Sequence, residues 1–257
     1  MPKHCLPLGL ALILTSTLYA QGNIAYPSED YLGGGIGYTP TFLRLNLAKS
    51  FPFNIGASNT GLLGDSGLGF TADEIDALGN LLVIHGAEGF GNITGHWRVG
   101  AYVGLGAKSI SRVDTSSAAR PKVDLKVAIM TGNASLEYVI PLFSNLEISA
   151  GSLFGFSRAI IQFAKIATSS PDWEEQFAGT DSSNVTVSLS GTFFSFQPYV
   201  AMKLQFLDRV GLRMTAGYQV GTLPANKWTL SDFRDIIAPR EGDFNAPAVR
   251  VMLYLGI

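Results

Sequence analysis

Several long stretches of this chain place large apolar side chains at every second residue, with small or polar ones between them. That period of two belongs to β-strands. Over residues 96–107, Trp97, Val99, Ala101, Val103, Leu105 and Ala107 share one face, while His96, Arg98, Gly100, Tyr102, Gly104 and Gly106 share the other. Residues 194–206 set Phe194, Phe196, Pro198, Val200, Met202, Leu204 and Phe206 against Ser195, Gln197, Tyr199, Ala201, Lys203 and Gln205. Residues 210–220 and 249–257 repeat the pattern. A water-soluble sandwich also alternates. These runs, however, exceed the roughly 5–6 residues common in globular strands and meet the ~9–11 needed to cross a bilayer at a tilt. Their apolar face is bulky throughout, as a lipid-facing surface requires.

Connection lengths point the same way. Eight strands are expected near 31–46, 81–91, 94–112, 122–142, 146–164, 184–206, 209–221 and 246–257. The links between them alternate strictly. Short ones fall near Asn92-Ile93, Phe143-Ser144-Asn145 and Leu207-Asp208, and long ones at 47–80, 113–121, 165–183 and 222–245. An up-and-down barrel sorts its turns and loops to opposite ends in this way, whereas Greek-key connections do not. The expected fold is therefore all-β: a closed antiparallel transmembrane β-barrel with short helices in its long external loops. Parity flips near Thr131-Gly132-Asn133 and again near Arg158. Bulges explain such flips; a true turn at Thr131–Asn133 is the alternative and would raise the count to ten strands.

Ahead of the strands, Lys3, the apolar run Cys5–Leu14 and Ala20 before Gln21 have the layout of a secretory signal peptide over 1–20. Residues 21–30 then form a lead into the barrel at 31–257. No stretch is long and apolar enough for a membrane helix. Composition narrows the function. The chain has 257 residues, 47% hydrophobic and only 15% charged, with 18 basic against 20 acidic residues and one cysteine. Disorder, a disulfide scaffold and nucleic-acid binding are excluded on these counts.

Over most of residues 31–257 the chain resembles, by pattern and not by a single motif, the small bacterial outer-membrane barrels of OmpA-like and OmpX-like architecture. The resemblance implies a Gram-negative outer-membrane location and contact with outer-membrane lipid and lipopolysaccharide. It also implies delivery to the barrel assembly machinery through the last strand. Leu253-Tyr254-Leu255-Gly256-Ile257 has the spacing of that class's terminal signal, with Ile257 where its members usually end in Phe.

On this reading Trp97, Phe143 and Phe206, each beside a short turn, belong to an aromatic girdle at the membrane interface. Arg98, Tyr102, Lys108, Lys126, Glu147, Tyr199, Lys203, Arg213, Arg250 and Tyr254 are expected to line the lumen. An eight-stranded barrel is only wide enough for side chains to fill it, so a packed, ion-paired plug is expected. The alternative is a narrow, porin-like pore for small anionic solutes, since basic groups outnumber acids in that set.

Look-alike catalytic motifs lack their context. Leu81–Gly86 has no downstream nucleophile elbow. Gly64-Asp65-Ser66-Gly67 lacks a suitably flanked histidine partner. Gly104–Ser109 lacks the Gly-Lys pair and the helix of a phosphate loop. His85 and His96 without cysteines make no metal site, and no cofactor is expected. A barrel enzyme acting on lipid, resembling lipid A deacylases or palmitoyltransferases, would need Ser, His and a carboxylate at one rim, with His85 the better placed histidine.

Short loop helices are expected at Thr71–Asn80 behind a capping box, at Ser170–Glu175 behind Pro171, and over Thr229–Ile237. Loops 47–80 and 165–183 carry more acids than bases. These helices either cap the barrel mouth or bind a surface partner, or divalent cations bridging lipopolysaccharide. The expected protein is a monomeric, non-enzymatic barrel with a structural or surface-interaction role.

Overall fold

The computed structural model of the protein describes residues 34–46, 50, 70, 74, 78, 80–93, 96–113, 122–143, 145–166, 185–231, 234–238 and 240–256. The expected signal peptide at 1–20 and the lead at 21–30 lie outside the described residues.

The wall begins with β1 (Gly34–Tyr38) and β2 (Thr41–Leu43), two halves of one line interrupted at Thr39-Pro40. Proline brings no N–H to the ladder, so pairing lapses there. Both halves pair with the same two neighbours, β3 (Leu82–Asn92) and β12 (Ala246–Gly256). Around the ring follow β4 (Trp97–Val113), β5 (Lys122–Phe143), β6 (Leu146–Ile166), β7 (Val185–Leu207) and β8 (Val210–Leu223). Each of these is antiparallel to the last, and β8 pairs with β12. The β1–β12 ladder, Gly35↔Gly256 through Tyr38↔Leu253, shuts the cylinder. Eight wall positions with no free edge make a closed barrel. The strand ends at Asn92 and Trp97, Phe143 and Leu146, and Leu207 and Val210 lie at one end of the barrel with Gly34 and Gly256, and the ends at Leu43 and Leu82, Val113 and Lys122, Ile166 and Val185, and Leu223 and Ala246 lie at the other.

On the outside of β4, Trp97 to Ala107 form an unbroken apolar column of exposed residues, above which stand Ser109 and Ser111. Ten residue steps at strand rise and barrel tilt give a height of about 25 Å, that of the apolar band of membrane barrels. The column on β7 (Phe206 to Phe194) matches it, and that on β5 runs from Leu142 to Met130.

The expected parity flips are not bulges, and Thr131–Asn133 is not a turn. β5 runs unbroken from Lys122 to Phe143. Its ladders with β4 and β6 keep register through 131–133 and through Arg158, and the one shift lies at Pro141/Phe143. Geometry stays constant while chemistry inverts. Glu137, Ser135, Ile129, Val127, Leu125 and Val123 all point inward. Below the level of Thr131 the interior is polar and the outside apolar. Above it the wall projects beyond the belt, and the interior becomes an ordinary dry core. Val123, Leu125, Val127, Ile129, Ala159, Ile161, Phe163 and Phe193 pack there with Trp228, Phe244 and Leu223, all 5% exposed or less. Outside stand Lys122, Asp124 and Lys126.

The loop expectations divide. Glu74 and Leu78 of the first expected helix are helical, and the helix at 170–175 lies outside the described residues. The third is corrected. Thr229–Ile237 is no helix: β9 (Trp228–Leu230) and β10 (Arg234–Ile236) form a hairpin turning at Ser231, whose φ is 49°. β9 extends the sheet from Leu189–Gly191 of β7. Tertiary burial of Trp228, 0% exposed, outweighs local helix propensity here. A short β11 (Gly242–Asp243) pairs with the end of β8.

Candidate functional site

The polar half of the lumen is the most concentrated chemistry among the described residues. Inward parity on β3, β4, β5, β6, β7, β8 and β12 brings Glu88, Arg98, Glu137, Glu147, Lys203, Arg213 and Arg250 into one cross-section. Arg213 bonds Glu88 and places Nη2 2.7 Å from Glu137 Oε1. Arg98 Nη2 lies 2.7 Å from Glu147 Oε2, and its Nε donates to Asn92 Oδ1 at 2.9 Å. Lys203 Nζ lies 3.1 Å from Glu147 Oε1. Ser149 donates to Glu137 at 2.8 Å. Arg250 is held more loosely, with Nη1 3.6 Å from Glu88 Oε2.

Aromatic rings fill the gaps between these charges. Arg98 sits 4.7 Å over Phe90, Arg250 4.8 Å over Tyr199, and Lys203 5.4 Å over Tyr254. Tyr102 shares a hydrogen bond of 2.8 Å with Thr41 and approaches Arg250 from the other side. Cation–π contact and charge-assisted hydrogen bonds are the means by which buried guanidinium groups are held away from water. Glu88, Arg98, Glu137, Arg213 and Arg250 are each 1% exposed. The network is thus a plug spanning the lumen. A second polar layer caps it toward the dry core. Ser195 donates to Asn133 Oδ1 at 2.9 Å, Asn133 Nδ2 donates to Thr131 at 2.8 Å, and Ser157 lies 2.9 Å from Thr131 and 3.1 Å from Ser195.

Of the residues expected inside, Arg98, Tyr102, Glu147, Tyr199, Lys203, Arg213, Arg250 and Tyr254 stand in this network. Lys108 has inward parity but sits near the upper rim, its Nζ 3.4 Å from the Leu81 carbonyl. Lys126 is corrected: it is exposed on the outer wall. Its neighbours Leu125 and Val127 suggested an outward apolar face, but above the belt the apolar face is the inner one. Glu88, Glu137 and Phe90 are lumen positions that the sequence reading missed. Glu137 could have been found from the outward alternation of Leu136, Tyr138 and Ile140 around it. Glu88 and Phe90 were obscured because Gly86, Gly89 and Gly91 blur the period of their strand.

At the short-turn end, Trp97, Phe143 and Phe206 are exposed on the outside of the wall. Trp97 meets Tyr138 edge-on at 5.4 Å, and His96 stacks on Tyr138 at 5.5 Å. His85 also faces outward, sharing a 2.5 Å hydrogen bond with Tyr38. Among the described residues no group of three His, Cys, Asp or Glu is placed to hold a metal ion.

No protein-family model matches the sequence, and no curated protein matches it. Solved structures resemble it in fold. OprG from Pseudomonas aeruginosa, an outer membrane protein, aligns at 10% identity over 88% of this chain and 96% of its own, with a TM-score of 0.45. Ail, the attachment invasion locus protein of Yersinia pestis, solved in complex with the heparin analogue sucrose octasulfate, aligns at 8% identity over 88% and 97%, with a TM-score of 0.41. CarO2 from Acinetobacter baumannii aligns at 12% identity over 87% and 98%, with a TM-score of 0.34.

Proposed function

We propose that this chain is an integral outer-membrane β-barrel whose role is structural or interactive and not catalytic. One observation carries the reading: the molecule is inside-out over about 25 Å of its height. Its bulky apolar residues face out around a closed ring, and its carboxylates and most of its cations meet inside. Water cannot be the solvent for such a belt without leaving an apolar surface far beyond the few hundred Å² tolerated on soluble monomers. Glu88, Glu137 and Glu147 are bound by Arg213, Arg98 and Lys203, and Arg250 is buried between the Tyr102 and Tyr199 rings 3.6 Å from Glu88, which suits a fixed plug more than a reacting site or a conducting path. Any contact with a surface partner then falls to the long connections at the upper rim, as loops on a rigid scaffold commonly serve.

The reading is tested by refolding the chain into phospholipid vesicles. Flotation with the vesicles and heat-modifiable migration on a detergent gel are expected; recovery as a soluble monomer with native strand content would overturn it.

A further inference from the structure

The outer wall is not uniformly bulky. One row of register neighbours crosses five strands as Tyr38, Ala87, Val103, Gly132 and Phe156. Ala87 and Gly132 leave low points in it on either side of Val103, between two rings 55% and 64% exposed. The next row toward the long loops is His85, Leu105, Met130, Arg158 and Thr192. Between these rows runs a shallow open groove of about 730 Å³, lined mainly by apolar surface.

Gly132 is the informative residue. It sits mid-strand on β5 and faces outward, and a Cβ built there would meet nothing within 4 Å. Packing therefore does not demand glycine. Other outward positions of the same strand carry Leu136, Tyr138 and Ile140. A strand glycine weakens its sheet, and where the fold does not need it, it marks a place where something else approaches the backbone.

The two ends of the groove differ. Toward the belt it is walled by Val103 and Phe156. At its upper edge Arg158 is the first cation on the outward face of β6, above Phe154 and Phe156, and its Nη2 donates to Ser190 Oγ at 3.1 Å. That bond holds the guanidinium at the rim of the groove. The Tyr38–His85 pair stands opposite. An apolar trough ending at a fixed cation matches a two-part ligand, an acyl chain joined to an anionic phosphate.

We propose that this groove seats one anionic, phosphate-bearing lipid from the leaflet nearest the long loops. Its chain lies over Gly132 between Val103 and Phe156, and its phosphate meets Arg158. The inference rests on the membrane-spanning reading above.

The test uses the full chain refolded in mixed phosphatidylcholine–phosphatidylglycerol vesicles. Flotation is scored first; retained lipid is then counted by native mass spectrometry after mild detergent extraction. Wild type is expected to keep one phosphatidylglycerol in preference to phosphatidylcholine. Arg158→Gln, which removes the cation, and Gly132→Leu, which fills the trough, are each expected to lower that retention about tenfold. Ala150→Leu, on the outer face of β6 below the groove, is expected to leave it unchanged. Equal retention of both lipids, or variants that match wild type, would overturn the proposal. So would a dimer that Gly132→Leu dissociates, since the occupant would then be a second copy. Failure to float would overturn both readings; flotation without lipid retention overturns this one alone.

Discussion

Arg213 on β8 places Nη2 2.7 Å from Glu137 Oε1 on β5, a strand three places away around the ring, with both side chains at most 1% exposed. Because Arg213 also bonds Glu88, three places away in the other direction, one guanidinium ties three parts of the wall through its centre. Replacing it by Met would leave two carboxylates buried with their main partner gone. Losses of about 3–5 kcal/mol are typical when one member of a buried pair is removed. Urea unfolding of Arg213→Met in vesicles is therefore expected to show a destabilisation of that order. Combining it with Glu88→Leu and Glu137→Leu is expected to recover most of the loss, since the unpaired charges go too.

The outward belt makes its own prediction. Val200, 59% exposed, stands midway along the apolar column of β7. Val200→Arg is expected to cost about 2–4 kcal/mol of folding free energy in vesicles, the penalty for a cation at the lipid midplane. Ser111→Arg, on the outer face above the belt, is expected to fall within about 0.5 kcal/mol of wild type. Equal effects at the two positions would show that no lipid boundary separates them.

The dry upper core should fail separately from the plug. Trp228 is 0% exposed, and its strand β9 is paired to Gly191. Trp228→Ala removes a large core side chain, a change that commonly costs about 3–5 kcal/mol. Faster amide exchange is expected at Leu189 and Gly191, while the amides around Arg213 keep their protection, because stability is distributed regionally.

A lumen filled by buried side chains should not conduct. Wild-type protein in planar bilayers is expected to give no discrete current steps. Regular anion-selective steps would instead support the pore alternative.

Much of this architecture is legible from period and spacing. The eight wall positions fall close to the expected ones because each strand's outward column is long and bulky, and because tight turns alternate with long loops. The alternation on 96–107 alone locates Arg98 and Tyr102. What misled the reading was the assumption of one solvent along the whole strand. On β5, Leu136 and Leu125 are both apolar, yet one faces out and the other in, because the strand leaves the belt between them. That error placed Lys126 inside and suggested a bulge at Thr131–Asn133. The hairpin at Trp228–Ile236 was hidden for a different reason. Its conformation is set by burial against β7 and Phe244, contacts distant in sequence that no local pattern records. The groove was invisible as well, since Gly132 acquires meaning only beside its register neighbours Val103 and Phe156.

The central claim is that lipid covers the outside of the lower wall, and two cysteines on one strand test it most directly. In a Cys5→Ser background, Ala101→Cys lies mid-belt on the outer face of β4, and Ser111→Cys lies above the belt on the same face. After refolding into vesicles, a water-soluble, membrane-impermeant maleimide is expected to label Ser111→Cys readily and to leave Ala101→Cys unmodified until detergent is added. Labelling of both at the same rate in intact vesicles would contradict the account.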